Sequence, residues 1–162
     1  MSILKVIKYP NPLLRRSSRH IDLIKEEDKR LADDMLETMY LNHGVGLAAP
    51  QMGISKRIIV IDVGDGPIKL INPEVVERRG SATGDEGCLS LPGIMVTVKR
   101  SEKIRYKGLD GDGKVIEGEA EGLLSKAIQH EIDHLNGKLV VDYANPIKRL
   151  FLKKKLLKTP NF

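Results

Sequence analysis

The sequence predicts an α+β fold: an antiparallel-rich mixed sheet around a central buried helix carrying the residues HEIDH, with an N-terminal helix and a C-terminal helical tail. Three observations lead there. Two stretches of helical periodicity, near residues 26–42 and 122–136, are separated by several short β-branched runs. Glycine- and aspartate-rich turns, Gly64-Asp65-Gly66-Pro67 and Asp110-Gly111-Asp112-Gly113, punctuate the runs. The order of helix, strands, helix and tail is not the βαβ alternation of a parallel sheet.

The elements follow in order. Tyr9-Pro10-Asn11-Pro12 is extended, because each proline disfavours the α region for its predecessor. In 26–42, Leu31, Met35, Leu36 and Met39 recur at spacings of three and four, and Gly44 and Gly46 end the helix. RIIVIDV (57–63) reads as a strand, Gly64-Asp65-Gly66-Pro67 turns it, and 69–72 begins another. Residues 94–98 form a further strand, and 103–107 and 114–117 flank the hairpin turn Asp110-Gly111-Asp112-Gly113. The second helix, 122–136, stops at Gly137 as its C-cap, and a third follows Pro146.

Charge divides the chain. Of 162 residues, 27 are Lys or Arg and 22 are Asp or Glu, a net +5. Lys148, Arg149, Lys153, Lys154, Lys155 and Lys158 follow Asp142 and no acid does, so residues 1–142 hold 21 bases against 22 acids. The expected organisation is a single catalytic domain over 1–145 and a basic helical tail over 146–162. A neutral body argues against a general nucleic-acid coat. One cysteine, Cys88, excludes a disulfide scaffold. No apolar run approaches the ~18 residues of a membrane span, and the N-terminus lacks the apolar region of a secretory signal, so the expected setting is the cytoplasm, with no membrane partner.

The chemistry concentrates in His130-Glu131-Ile132-Asp133-His134. At about 100° per residue the two histidines lie roughly 40° apart on one helix face, where they can share a metal ion. Glu131 between them can handle the protons of a water. Leu124, Ile128, Ile132 and Leu135 define a core face, Leu123 and Ala127 a second apolar stripe beside the histidines, and Lys126, Gln129 and Asp133 a polar side. A catalytic zinc-type site needs a third protein ligand. The metzincin position for a third histidine holds Val140, and no Glu follows His134, so the third ligand is sought upstream. Cys88, in a polar loop bounded by Gly84 and Pro92, is the candidate, and a thiolate beside two imidazoles suits Fe(II) as well as Zn(II). The third segment, GVGLAAPQ (44–51), combines small residues that permit close backbone approach with the amide donor of Gln51, and lacks the ending of a phosphate loop.

GVGLAAPQ (44–51), EGCLS (86–90) and QHEIDH (129–134), in that order, resemble the three motifs of the peptide deformylase family. The resemblance implies hydrolytic removal of formyl from the N-terminal formylmethionine of nascent polypeptides. It implies one divalent metal ion held by Cys88, His130 and His134, commonly Fe(II), with Zn(II), Ni(II) or Co(II) able to replace it. It further implies Glu131 as general acid and base, and Gln51 with the Leu89 N–H as oxyanion donors. Val45, Gly46, Glu86 and Gly87 are expected to hold the substrate backbone, and Leu123 and Ala127 to line the pocket for its first side chain. A substrate leaving the ribosome makes the basic tail an expected docking element on ribosomal RNA. The competing readings are an internal-bond metallopeptidase, against which Val140 and the missing downstream Glu count, a non-enzymatic ribosome- or RNA-binding protein, favoured only by the tail and opposed by the near-neutral body, and a structural metal module, which would use four protein ligands and no adjacent Glu.

Overall fold

The computed structural model describes residues 2–158. Its helices are α1 (Glu26–Leu41), α2 (Gly122–Leu135) and α3 (Pro146–Lys158). Its strands are β1 (Gly46–Ala48), β2 (Ile58–Ile61), β3 (Ile68–Arg79), β4 (Ala82–Cys88), β5 (Leu91–Arg100), β6 (Lys103–Leu109) and β7 (Val115–Glu121). A five-stranded sheet has the order β1-β2-β3-β6-β7, and β4 and β5 form a separate two-stranded sheet.

The content is α+β, but the expected arrangement needs correcting. Every pairing between these strands is antiparallel, so the sheet is not mixed. A parallel neighbour needs a crossover of a dozen or more residues, and the connections between successive strands from β2 to β7 are too short. Nor does the sheet surround α2. Strand β2 is buried on both faces: Ile58 and Val60 pack with Met35 and Met39 of α1, and Ile59 and Ile61 with Ile128 and Leu135 of α2. The large sheet is therefore the middle layer, with α1 on one face and α2 on the other. The candidate metal ligands are likewise not contained in HEIDH, since they comprise Cys88 from β4 with His130 and His134.

Strand β3 runs past the predicted 69–72. Pro73, which lacks a ladder donor, falls where the β3–β6 register shifts between Ile71 and Glu74, the kind of irregularity that admits a proline. Strands β1 and β4 escaped the sequence reading, because GLA and ATGDEGC carry little β propensity. The small sheet packs its inward residues Leu91, Ile94, Val96 and Val98 against Leu139–Val141 and against Leu152 and Leu156 of α3. At the N-terminus of α1, the Asp28 carboxylate accepts from the Lys25 N–H at 2.9 Å and from Lys56 Nζ at 2.6 Å. Gly137, at φ 72°, ends α2 as expected. Among the described residues no helix is long and apolar enough to cross a membrane.

Candidate metal and catalytic site

Helix α2 brings His130 and His134 one turn apart, with ring centroids separated by 5.1 Å. Strand β4 ends against them. Its pairing with β5 shifts register between Glu86 and Cys88, an irregularity that re-aims the side chain following it. Cys88 Sγ then stands 3.2 Å from His134 Nε2. One ligand atom from each of Cys88, His130 and His134 lies within 4.8 Å of the others, the only such group of metal-binding side chains among the described residues. Cys88 thus closes a strand rather than lying in the loop expected from its glycines.

The donor chemistry fits a divalent ion. Glu86 Oε1 accepts from His130 Nδ1 at 3.0 Å, which leaves His130 Nε2 for coordination. His134 is 1% exposed. Burial, with the positive charge of His130 and Arg100 nearby, holds it well below the ordinary imidazole range, in the neutral form that ligates. Two imidazoles and a thiol, with an acid adjacent, are the donor set of a catalytic centre that keeps one position open.

Glu131 is 4% exposed, and its Oε1 is buried with no hydrogen-bond partner. Burial pushes its carboxyl up to about 7, against the opposing pull of His130 and Arg100. Gly46 of β1 abuts this carboxylate: a Cβ there would lie 2.5 Å from Glu131 Oε2. Gln51, in the single helical turn Ala49–Met52 after β1, is 1% exposed and has its amide oriented. Its Oε1 accepts from the Ala48 N–H at 3.0 Å, so Nε2 must face Ser90 Oγ at 3.1 Å and Cys88 Sγ at 3.6 Å. Leu89 forms the tight turn between β4 and β5, and its carbonyl accepts from Lys8 Nζ at 2.8 Å.

Glu131, Gln51, Leu89, Cys88, His130, Val45, Gly46, Glu86, Gly87, Leu123 and Ala127 all border one cleft of about 890 Å³. His134, which is buried, does not border it. Val45 and Leu123 are exposed at 46% and 58%, whereas Ala127 is buried. The expected polar side of α2 is not a solvated face. Gln129 is buried, bonded to Ser101 and Ser125, and Asp133 is held by Arg100.

Sequence reasoning missed Arg100. Its side chain is 4% exposed and bonds both oxygens of Glu86 at 2.8 and 2.9 Å, Asp133 Oδ2 at 2.7 Å and Tyr143 Oη at 3.1 Å. Burial would lower its pKa, but the two carboxylates raise it further above its ordinary value. In turn, hydrogen bonds from His130 and Arg100 override the effect of burial on Glu86 and hold it at about 2. The signal was available in the alternation of β5, where Ile94, Val96, Val98 and Arg100 share the inward parity.

Residues 3–150 match the family model described as polypeptide deformylase. The chain belongs to that family. It is 49% identical to a peptide deformylase of Alkalilimnicola ehrlichii, over 98% of this chain and 91% of that protein. Among solved structures it superposes on a peptide deformylase from Legionella pneumophila with a TM-score of 0.91 at 43% identity, covering 98% of this chain and all of the other. The peptide deformylase of Ehrlichia chaffeensis in complex with actinonin gives a TM-score of 0.94 at 37% identity, covering 98% of each chain. The chain is a metal-dependent hydrolase, and its activity is removal of the formyl group from N-terminal formylmethionine.

Proposed function

We infer that Cys88, His130 and His134 hold one divalent ion, Fe(II) in the cell and replaceable by Zn(II), Ni(II) or Co(II), and that Glu131 moves the protons of deformylation. The observation that carries this reading is a buried carboxyl with an unpartnered oxygen immediately beside three converging ligand atoms. The chemistry such an ion supplies is Lewis acidity, which lowers the pKa of a water and polarises the formyl carbonyl. Glu131 takes a proton from the attacking water and returns it to the leaving amine, a task suited to a group that titrates near 7. Gln51 Nε2 and the Leu89 N–H donate to the formyl oxygen as it gains charge. The substrate backbone runs extended along Val45, Gly46 and Gly87. Glu86 takes part through its main chain, because its carboxylate is engaged by His130 and Arg100. Leu123 and Ala127 receive the methionine side chain. The products are formate and a free N-terminal methionine.

The reaction belongs in the cytoplasm, where nascent chains emerge. Residues 1–145 form the catalytic domain, and the basic residues of 146–162 dock on ribosomal RNA phosphate. Glutamate in place of Lys148, Lys153 and Lys154 should abolish co-sedimentation with ribosomes at low salt; unchanged co-sedimentation would exclude docking through the tail.

The deciding experiment is formate release from a formyl-Met peptide by anaerobically purified protein, with metal analysis of the same sample. Release that scales with one bound metal per chain is expected. Equal release by metal-stripped protein would overturn the reading.

A further inference from the structure

Most charged groups bordering the cleft are already engaged. The Lys8 ammonium is bonded to the Leu89 carbonyl, Asp85 accepts from Thr97 Oγ1 at 2.6 Å, and Glu86 is held by Arg100 and His130. Lys126 differs. It borders the cleft together with Leu123, Ala127 and Met95, yet among the described residues it has no hydrogen bond and no ion pair. It stands on α2 between Leu123 and Ala127, one turn before His130.

Its reach depends on a glycine. Lys126 extends from α2 to β4, where a Cβ on Gly84 would lie 3.1 Å from Lys126 Nζ. Gly84 has no positive φ and pairs regularly with Val98 of β5, so no turn conformation requires glycine there. What its missing side chain provides is room for the ammonium. The methylenes of Lys126 can then continue the apolar wall begun by Leu123 and Ala127, while the charged end rests against Gly84, the neighbour of Asp85, which borders the same cleft.

We propose that Lys126, accommodated by Gly84, is a specificity-determining residue that lets the pocket accept first side chains carrying an oxygen acceptor where methionine ends. The inference rests on the assignment of Leu123 and Ala127 to that pocket. Glutamate has as many side-chain heavy atoms in line as methionine, with a carboxylate oxygen where methionine has its terminal methyl. Methionine sulfoxide carries its oxygen on the sulfur, at the same position along the side chain as the glutamate oxygen. In an all-apolar pocket either group would lose its hydration without replacement, and an unpaired ammonium at the border supplies the missing partner. The class of substrate so admitted is a formylated peptide whose first residue is acidic or is an oxidised methionine.

The test compares formate release from formyl-Met, formyl-norleucine, formyl-Met-sulfoxide and formyl-Glu peptides of otherwise identical sequence. The proteins are the metal-loaded wild type, Lys126→Met, Lys126→Arg and Gly84→Val, with metal content measured for each. The readout is the ratio of kcat/KM for formyl-Glu to that for formyl-norleucine. Lys126→Met, which keeps the length of the wall, should lower this ratio at least tenfold, and the sulfoxide ratio should move the same way. Lys126→Arg should retain it to within about threefold. Gly84→Val, which fills the space at Nζ, should lower it as Lys126→Met does. An equal ratio in wild type and Lys126→Met overturns the proposal, as does a loss in Lys126→Arg equal to that in Lys126→Met. Failure of the wild type to release formate from formyl-Met would instead refute the assignment of the cleft.

Discussion

Two cationic regions of this chain behave in opposite ways. Beneath the cleft a single arginine, Arg100, is enclosed and bonded to Glu86, Asp133 and Tyr143. On α3, six bases occur with no acid among them, and Lys148, Lys154, Lys155 and Lys158 are exposed beside Ile147 and Phe151, which are exposed at 85% and 72%. The number of charges is a poor guide to their structural weight. An enclosed charge acts on every group it touches, because little solvent screens it, whereas exposed charges are screened within about 10 Å at ordinary ionic strength. The buried region therefore sets the state of the groups it touches.

The largest effect expected of a single substitution lies in the buried region. Glu131→Gln should lower kcat by roughly 10²–10⁴, the range for loss of a general acid and base, with metal content retained. Loss of the metal as well would make Glu131 a support for the ligands rather than a proton carrier. Arg100→Met should come next. It leaves two partly buried carboxylates without their cation, at a cost of about 3–5 kcal/mol in denaturant unfolding, and by freeing Glu86 should weaken metal affinity by about 10–100-fold. Unchanged affinity, measured by chelator competition, would reduce Arg100 to a packing role.

Within α3 the same contrast recurs between faces. Leu152 and Leu156 are buried against β5, and Leu152→Ala should cost about 2–5 kcal/mol. Phe151→Ala, one residue away on the open face, should stay within about 0.5 kcal/mol. If both cost the same, α3 packs in a different rotation.

A further expected effect is a titration. The Glu86 carboxyl is held below its ordinary value of 4.5, at about 2. A depressed carboxylate contributes stability that is complete above the unfolded value and lost as pH falls through the folded one. Unfolding midpoints should therefore fall between about pH 4.5 and pH 2, and Glu86→Gln should flatten that slope. Replacing Lys153 and Lys154 of the tail by Gln should leave that slope in place.

Much of the site was legible in one dimension because its parts are local. His130 and His134 share a helix face by the 3.6-residue period, Glu131 lies between them, and a downstream segment with no His, Cys or Glu and only Asp142 as a carboxylate directs attention upstream to the one cysteine. The two long helices and the strands 57–63 and 103–107 announce themselves by period and by β-branched residues, within a few residues of their observed ends. Strands β1 and β4 did not, because glycine, alanine and aspartate form strands only where a partner supplies the hydrogen bonds.

The sequence by itself thus determined two histidines on one helix face with a glutamate between them, a single cysteine upstream, the order of the three helices and the neutrality of the body. Only the tertiary structure decided that the sheet is the middle layer and wholly antiparallel, that Cys88 reaches His134 from a separate small sheet, and that Arg100 unites Glu86, Asp133 and Tyr143. The reason lies in the range of the interactions. Periodicity and turn chemistry act over a few residues and leave their mark in the order of the chain. The partners of a buried charge are chosen by packing between segments distant in sequence, here 14 residues for Glu86, 33 for Asp133 and 43 for Tyr143, and no local pattern records that choice.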